Sequence, residues 1–219
     1  LIAYFTEIGR FDSLRAILES LIGKAQDPSE RSELSVKLGE LLKDELALPR
    51  EAFFAYANAL RDDITSDESL AALQIIGGEQ GMYLELVETY KSLAEIDPYS
   101  ELSGELSRLR AKLCENRLQD LGQATIAWEI SLSVDPEHPE TLRALSGLYD
   151  QQERWSDLIK ILEARVDLEP DEFELRVHLG ELIVRVHGDA HRAIDQWKMV
   201  LMDFPQAESA KRMLEMYIS

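Results

Sequence analysis

The chain has 219 residues, of which 45% are hydrophobic and 30% charged, so it can bury a substantial core. Its 42 acidic and 23 basic residues give a formal net charge of −19, which disfavours nucleic acid and favours a protein or peptide partner of basic character. The lone Cys114 excludes an internal disulfide and a cysteine metal cluster. Because no apolar run approaches the roughly 20 residues that cross a bilayer, we expect no direct membrane insertion.

The sequence predicts helices throughout, because apolar residues recur at three- and four-residue spacing and no segment alternates with the period of two typical of a strand. An apolar stretch precedes Pro98, Pro136, Pro170 and Pro205, and each of these prolines is expected to follow a helix end. Thirteen helices are predicted to begin near the following residues: Leu1, Phe11, Ser29, Pro49, Asp67, Met82, Pro98, Leu121, Glu137, Trp155, Pro170, Asp189 and Ala207.

Short connections make consecutive helices antiparallel neighbours, so residues 1–219 are predicted to form a single domain of helix hairpins. The predicted hairpins cover roughly residues 1–26, 29–64, 67–97, 98–136, 137–169 and 170–205, and a final helix covers residues 207–218. Because the chain begins with Leu1 rather than Met, we expect it to be a fragment of a longer chain.

The chain also repeats its own pattern. The tetrapeptide LGEL occurs at Leu38–Leu41 and again at Leu179–Leu182. A spacing of 72 residues relates three aromatic residues, Phe11, Tyr83 and Trp155. Spacings of 72 and then 69 residues relate three alanines and the aromatic residue four positions after each: Ala52 and Tyr56, Ala124 and Trp128, Ala193 and Trp197. LGEL is therefore part of a long repeat that contains two hairpins, and it is not a catalytic motif.

The last of these repeats resembles the tetratricopeptide repeat, a helix–turn–helix of about 34 residues. Leu179–Gly180 matches the Leu-Gly pair of that family, and Ala193, Trp197, Val200 and Pro205 match its small, aromatic, small and proline places. The resemblance covers essentially the whole chain. The alternating long units are also similar to the degenerate arrays of large bacterial repeat proteins. It implies an all-α fold, an α-solenoid of about six antiparallel helix hairpins in a right-handed superhelix.

A packing reason supports this repeat. A small residue in the first helix of a hairpin, as at Gly39, Ala111 and Gly180, lets a neighbouring helix approach, and the facing aromatic residue fills the remaining space. One hairpin cannot bury its apolar face alone, so stacked hairpins are expected to share a continuous core that needs no metal or disulfide.

The resemblance also implies a partner-binding surface, because the first helices of successive hairpins line a peptide-binding groove in this family. Carried over residue by residue, the charged groove places are Glu33, Glu40, Lys43, Glu68, Glu105, Arg108, Lys112, Glu140, Arg143, Asp150, Glu174 and Glu181. The uncharged groove places are Val36, Ala71, Ile75, Val177 and Val184. The leading place is glutamate in all five helices. An alternative explanation is that these glutamates lie in the first turn of each helix and interact with its macrodipole, whether or not a ligand binds.

Other candidate motifs favour structural explanations. His187 and His191 have a metal-ligand spacing, but Gly188 is expected to break the helix between them, so no metal site is predicted. The glycines of GGEQG at Gly77–Gly81 lack the strand and the Lys-Ser/Thr pair of a phosphate loop and are predicted to form a turn before Met82. Cys114 is predicted to be a packed thiol. We find no catalytic constellation and expect no cofactor.

The sequence therefore predicts a non-catalytic scaffold that binds a segment of another protein or a subunit of a larger assembly through the groove. The lysine- and asparagine-based carboxylate clamp of the family is absent at the leading places, so its chaperone C-terminal ligands are not expected. One alternative is a regulatory or substrate-presenting segment of a larger enzyme whose catalytic domain lies outside this chain. Another is a sensor that binds a small molecule or a metal in the groove. The composition leaves the cellular compartment open.

Overall fold

The computed structural model describes Phe5 and residues 9–218. In this part of the chain twelve helices have defined bounds and no strand occurs, which confirms the predicted all-α class. The predicted helix near Leu1 lies outside the described residues. The twelve helices are α1 (Phe11–Ile22), α2 (Pro28–Glu40), α3 (Pro49–Asp62), α4 (Asp67–Glu79), α5 (Tyr83–Ala94), α6 (Glu101–Leu113), α7 (Leu121–Val134), α8 (Pro139–Gln151), α9 (Trp155–Leu168), α10 (Phe173–His187), α11 (Ala190–Asp203) and α12 (Glu208–Ile218).

The helix starts follow local capping signals. Proline occupies the first position of α2, α3 and α8, where its missing N–H costs no intrahelical hydrogen bond. The predicted starts at Pro98 and Pro170 are too early by three residues each. Helix α6 begins at Glu101 because the Ser100 hydroxyl caps it by accepting a hydrogen bond from the Ser103 amide at 3.1 Å.

The turns between helices repeat as the sequence does. Six described residues have a left-handed backbone, and they form two sets at repeat-equivalent places. One set is Gly9, Gly81 and Glu153, with φ of 64°, 65° and 56°. The other is Ala47, Gln119 and Gly188, with φ of 54°, 57° and 69°. The left-handed backbone therefore occurs at the same repeat places even where the residue is not glycine, which tolerates this conformation best. The first two turns of the second set are preceded by short π-helical segments, Leu41–Glu45 and Cys114–Leu118.

The described chain divides into two compact units. The first unit contains the described residues up to Pro98 together with Lys112–Gln119, and the second contains Tyr99–Ala111 together with the described residues from Asp120 onward. In the first unit, consecutive helices from α1 to α5 pack on one another, and their core includes the buried side chains of Leu18, Phe53, Leu60 and Leu73. Arg31 of α2 also pairs with Asp62 of α3 through its Nε, 3.0 Å from both carboxylate oxygens.

The second unit has a continuous apolar core that reaches from Ala111 to Ala210. Trp197 is fully buried in it, and its Nε1 donates a hydrogen bond to the Val177 carbonyl at 3.1 Å. Trp155, at the start of α9, is only half-buried and carries the Arg185 guanidinium 4.0 Å from its ring centre. The two tryptophans therefore differ in burial.

The predicted pairing of a small residue with an aromatic side chain is confirmed at two places. A Cβ atom at Gly39 would lie 2.8 Å from the Tyr56 ring, and one at Gly180 would lie 2.7 Å from Cε2 of Trp197. These are distances that Cβ atoms do not adopt, so the helices approach closely only because the side chain is absent.

One prediction for a glycine-rich segment is wrong. Gly77 and Gly78 do not form a turn, because α4 continues to Glu79 and only Gly81 takes the left-handed conformation. Gly77 is buried, and a Cβ atom there would lie 2.7 Å from Cγ of Leu86 in α5. Gly77 therefore allows α4 and α5 to pack closely, as Gly39 and Gly180 do for their own helices.

Candidate partner-binding surface

All five leading glutamates are exposed, but they differ in their position along the helix. Glu68, Glu140 and Glu174 lie in the first turn of α4, α8 and α10, where a carboxylate interacts favourably with the helix macrodipole. Glu33 and Glu105 lie one turn farther along, because the first-turn acids of α2 and α6 are Glu30 and Glu101. The macrodipole therefore accounts for three of the five and leaves Glu33 and Glu105 without that explanation.

Acidic side chains surround one buried tyrosine of the first unit. Tyr56 packs against Gly39 and is 2% exposed. Burial raises the pKa of Tyr56 to about 12, and the negative charges of Glu40, Asp44 and Glu68 add to this effect. Two of the predicted groove residues, Glu40 and Glu68, are thus close enough to act on the same hydroxyl. Lys43 offsets part of this charge by pairing with Asp44 at 3.4 Å.

The uncharged groove candidates differ in how much of each side chain is exposed. Ile75 of α4 is 60% exposed and can contact a ligand. Val177 of α10 is 3% exposed and belongs to the core of the second unit, so its prediction as a groove residue is wrong. The helix begins at Phe173, and the face that contains Val177 packs inward against Trp197 of α11.

Besides Lys43, the three basic candidates Arg108, Lys112 and Arg143 have different environments. Arg108 is half-buried, and its Nη1 lies 3.4 Å from the Ser131 hydroxyl of α7. Lys112 is half-buried and belongs to the first unit. Arg143 is the most accessible, with 62% of its side chain exposed, and it donates from Nε to a Glu169 carboxylate oxygen at 2.7 Å.

Glu169 joins Arg143 to a second arginine that sequence reasoning missed. Arg165 of α9 donates from Nε and Nη2 to the other Glu169 oxygen at 3.1 and 2.8 Å, and its Nη1 donates to the Ser146 hydroxyl at 2.8 Å. Burial alone would raise the pKa of Glu169, but the hydrogen bonds and charges of Arg165 and Arg143 outweigh it and lower that pKa. The four-residue spacing of Arg165 and Glu169 could have suggested an ion pair between them from the sequence. No local pattern predicts that Arg143 also pairs with Glu169.

Two depressions open beside these arginines. The larger, of about 440 Å³, is lined by Arg143, Arg165, Leu168, Glu169, Pro170, Asp171 and Glu172. The smaller, of about 170 Å³, is lined by Pro139, Leu142, Arg143, Arg165, Leu168 and Glu169. Both therefore share the wall formed by the arginine–glutamate cluster, and both lie within the second unit.

A second missed feature is a buried arginine in α6. Arg110 is 6% exposed, at the place where the other repeats carry the buried Leu38 and Leu179. Its Nη2 donates to the Gln123 amide oxygen at 2.7 Å, and its buried Nε has no hydrogen-bond partner. None of the carboxylates among the described residues pairs with it. Aligning the repeats would have revealed this substitution.

Potential metal ligands are dispersed in the described chain. No group of three or more His, Cys, Asp or Glu side chains there could hold a metal ion. Gly188 ends α10 at His187, and His191 lies in α11, as predicted. His138, which had no predicted function, caps α8 by accepting from the Thr141 amide at 3.4 Å. Cys114 is completely buried. No described helix is both long enough and apolar enough to cross a membrane.

Comparisons with known proteins find similarity in structure. No protein-family model matches the sequence, and no curated protein sequence does either. MamA from Desulfovibrio magneticus RS-1 is 20% identical, with 81% of this chain and 96% of that chain covered and a TM-score of 0.43. YrrB, described as "a TPR protein with an unusual peptide-binding site", is 11% identical, with 90% and 97% covered and a TM-score of 0.45.

A third solved structure, Naa15/Naa10 bound to HypK-THB, is 16% identical over 99% of this chain, with a TM-score of 0.54. The match covers 33% of that longer chain. At this identity the similarity concerns the fold alone.

Proposed function

Because the chain folds as a tetratricopeptide-like array of helix hairpins, we propose that it is a non-catalytic scaffold that binds a segment of another protein. The binding surface of each unit is the exposed face of its first helices, which are α2 and α4 in the first unit and α6, α8 and α10 in the second. In other tetratricopeptide proteins these helices line the peptide groove. The partner segment is mostly basic, since the exposed charged places on this face are mainly glutamates.

The observation that carries the proposal is the position of Glu33 and Glu105. They occupy the same repeat place, are exposed, and lie beyond the first helical turn. An exposed carboxylate there gains little from the macrodipole, because that effect falls off within the first turn. A role in contacting a basic ligand explains why these two residues are acidic.

The experiment starts from peptides selected against the purified protein from a random display library. We expect the selected sequences to be rich in Lys and Arg, and their association to slow as salt rises, because exposed charges chiefly affect the rate of encounter. Reversing Glu33 and Glu105 together to Lys should weaken binding by about tenfold while leaving the melting temperature nearly unchanged.

A matched control separates the surface from the overall charge. Glu88 of α5 and Asp195 of α11 are exposed acids on second helices, so reversing both to Lys changes the net charge equally. We expect this control to keep most of the affinity. Equal losses in the two double variants would show that net charge alone attracts the peptides, and unchanged affinity of the Glu33/Glu105 variant would refute the proposed surface.

A further inference from the structure

The arginine–glutamate cluster of the second unit contains one more cation than its carboxylate needs. Glu169 accepts hydrogen bonds on one oxygen from Arg143 and on the other from Arg165. A single bidentate arginine is enough to neutralise a carboxylate and to satisfy much of its hydrogen-bonding capacity. One of the two arginines can therefore move away from Glu169 without leaving the Glu169 carboxylate buried and unpaired.

The structure distinguishes which arginine is held and which is free to exchange. The Arg165 and Glu169 side chains are 15% and 13% exposed, and Arg165 is fixed further by its hydrogen bond to the buried Ser146. The Arg143 side chain is 62% exposed, so its pair with Glu169 faces solvent on one side. Exposed ion pairs contribute little to stability, whereas losing a buried partner is costly, so Arg143 is the arginine that can be released.

The surroundings of Arg143 have room for a ligand of defined charge. The depression of about 440 Å³ can admit a carboxylate side chain, and Asp171 and Glu172 at its wall favour basic residues on either side of that carboxylate. The adjacent depression of about 170 Å³ has the apolar side chains of Pro139, Leu142 and Leu168 in its wall. An aliphatic side chain next to the acid would be shielded from water there.

We propose that Arg143 selects the partner segment by exchanging Glu169 for an acidic side chain of that segment, which enters the larger depression beside an aliphatic neighbour. Arg165 keeps Glu169 paired throughout. The ligand class is a peptide that is basic overall but carries a Glu or Asp within its basic run. This inference rests on the proposed function and adds the residue that determines which basic segment is accepted.

The test uses two synthetic probes, a short, blocked, lysine-rich peptide with one Leu-Glu pair at its centre and its twin with Leu-Gln. The unaltered chain should bind the Glu peptide about fivefold more tightly than the Gln peptide, because the exchange replaces the solvent-facing ion pair of Arg143 with a partly shielded one. Arg143→Gln should abolish that preference, while the Gln peptide should bind at least as tightly as it binds the unaltered chain. Arg143→Lys should restore part of it.

Arg50 offers a matched control in the first unit. Its side chain is also 62% exposed and ion-paired, with Glu85 at 3.0 Å, but it lies on the second helix α3. Arg50→Gln should keep the full preference for the Glu peptide. The melting temperature of Arg143→Gln should stay close to that of the unaltered chain, since Arg165 still neutralises Glu169.

The outcomes distinguish this inference from the proposal beneath it. Tight, salt-dependent binding of both peptides with no preference would overturn the role of Arg143 and leave the basic-ligand scaffold standing. Failure of both peptides to bind would overturn the basic-ligand scaffold and the inference with it. A preference that survives Arg143→Gln, together with a marked fall in melting temperature, would show that Arg143 only stabilises the fold.

Discussion

The close approach of α10 and α11 at Gly180 gives a sharp test of the repeat packing. Adding a methyl group by Gly180→Ala would place Cβ 2.7 Å from Cε2 of Trp197, a fully buried ring that also donates to the Val177 carbonyl. Forcing extra volume into a packed core costs about 1–3 kcal/mol, and losing the indole hydrogen bond costs about 0.5–1.5 kcal/mol more. The better helix propensity of alanine returns about 0.5–1 kcal/mol. We therefore expect a net loss of about 1–3 kcal/mol in the free energy of unfolding.

Gly147 of α8 is the matched control, because a Cβ atom there meets nothing within 4 Å. Gly147→Ala should stabilise by about 0.5–1 kcal/mol from propensity alone. Urea unfolding followed by far-ultraviolet circular dichroism measures both variants without relying on tryptophan fluorescence, which the substitution itself would alter. If Gly180→Ala unfolds at the same or a higher urea concentration than the unaltered chain, the helices can separate at little cost and the packing rule is wrong.

Three further tests, which use five substitutions, address burial and backbone conformation. Trp197→Ala should cost about 3–5 kcal/mol and Trp155→Ala clearly less, because the latter is only half-buried; equal urea midpoints would contradict this assignment. Arg110→Leu should raise the free energy of unfolding by about 1–4 kcal/mol, because it replaces a buried cation that pairs with none of the described carboxylates, and a lower urea midpoint would show that the guanidinium stabilises the fold. Glu153→Gly should stabilise by up to about 1 kcal/mol and Gly81→Ala should destabilise by about as much, because both residues have a left-handed backbone; thermal melts that move in the opposite directions would refute this.

Much of the fold follows from short-range information in the sequence. Helix starts at Phe11, Pro49, Asp67, Leu121 and Trp155 are predicted to the residue, because proline, capping side chains and apolar periodicity act within one turn of the chain. The pairing of small and aromatic residues is also predictable, since the repeat shows both members at a fixed spacing. These signals identify the hairpins and the buried tryptophan place before any contact is known.

The arrangement of the charged surface could not be predicted from the sequence, because it depends on the exact bounds and rotation of each helix. A shift of one residue rotates a side chain by about 100° around a helix. A shift in a helix start matters as well, because α10 begins at Phe173 rather than at Pro170 and this places Glu174 in its first turn. Val177 shows the same sensitivity, because one face of α10 packs inward.

Partners distant in sequence were not predictable at all. Arg143 and Glu169 are 26 residues apart and meet only because α8 packs against the helix that precedes Glu169. Arg110 occupies a core place by its repeat position, but only the packed structure shows that its charge is buried and that the Gln123 amide accepts from it. Local preferences determine helices, whereas the burial and pairing of long charged side chains depend on how those helices stack.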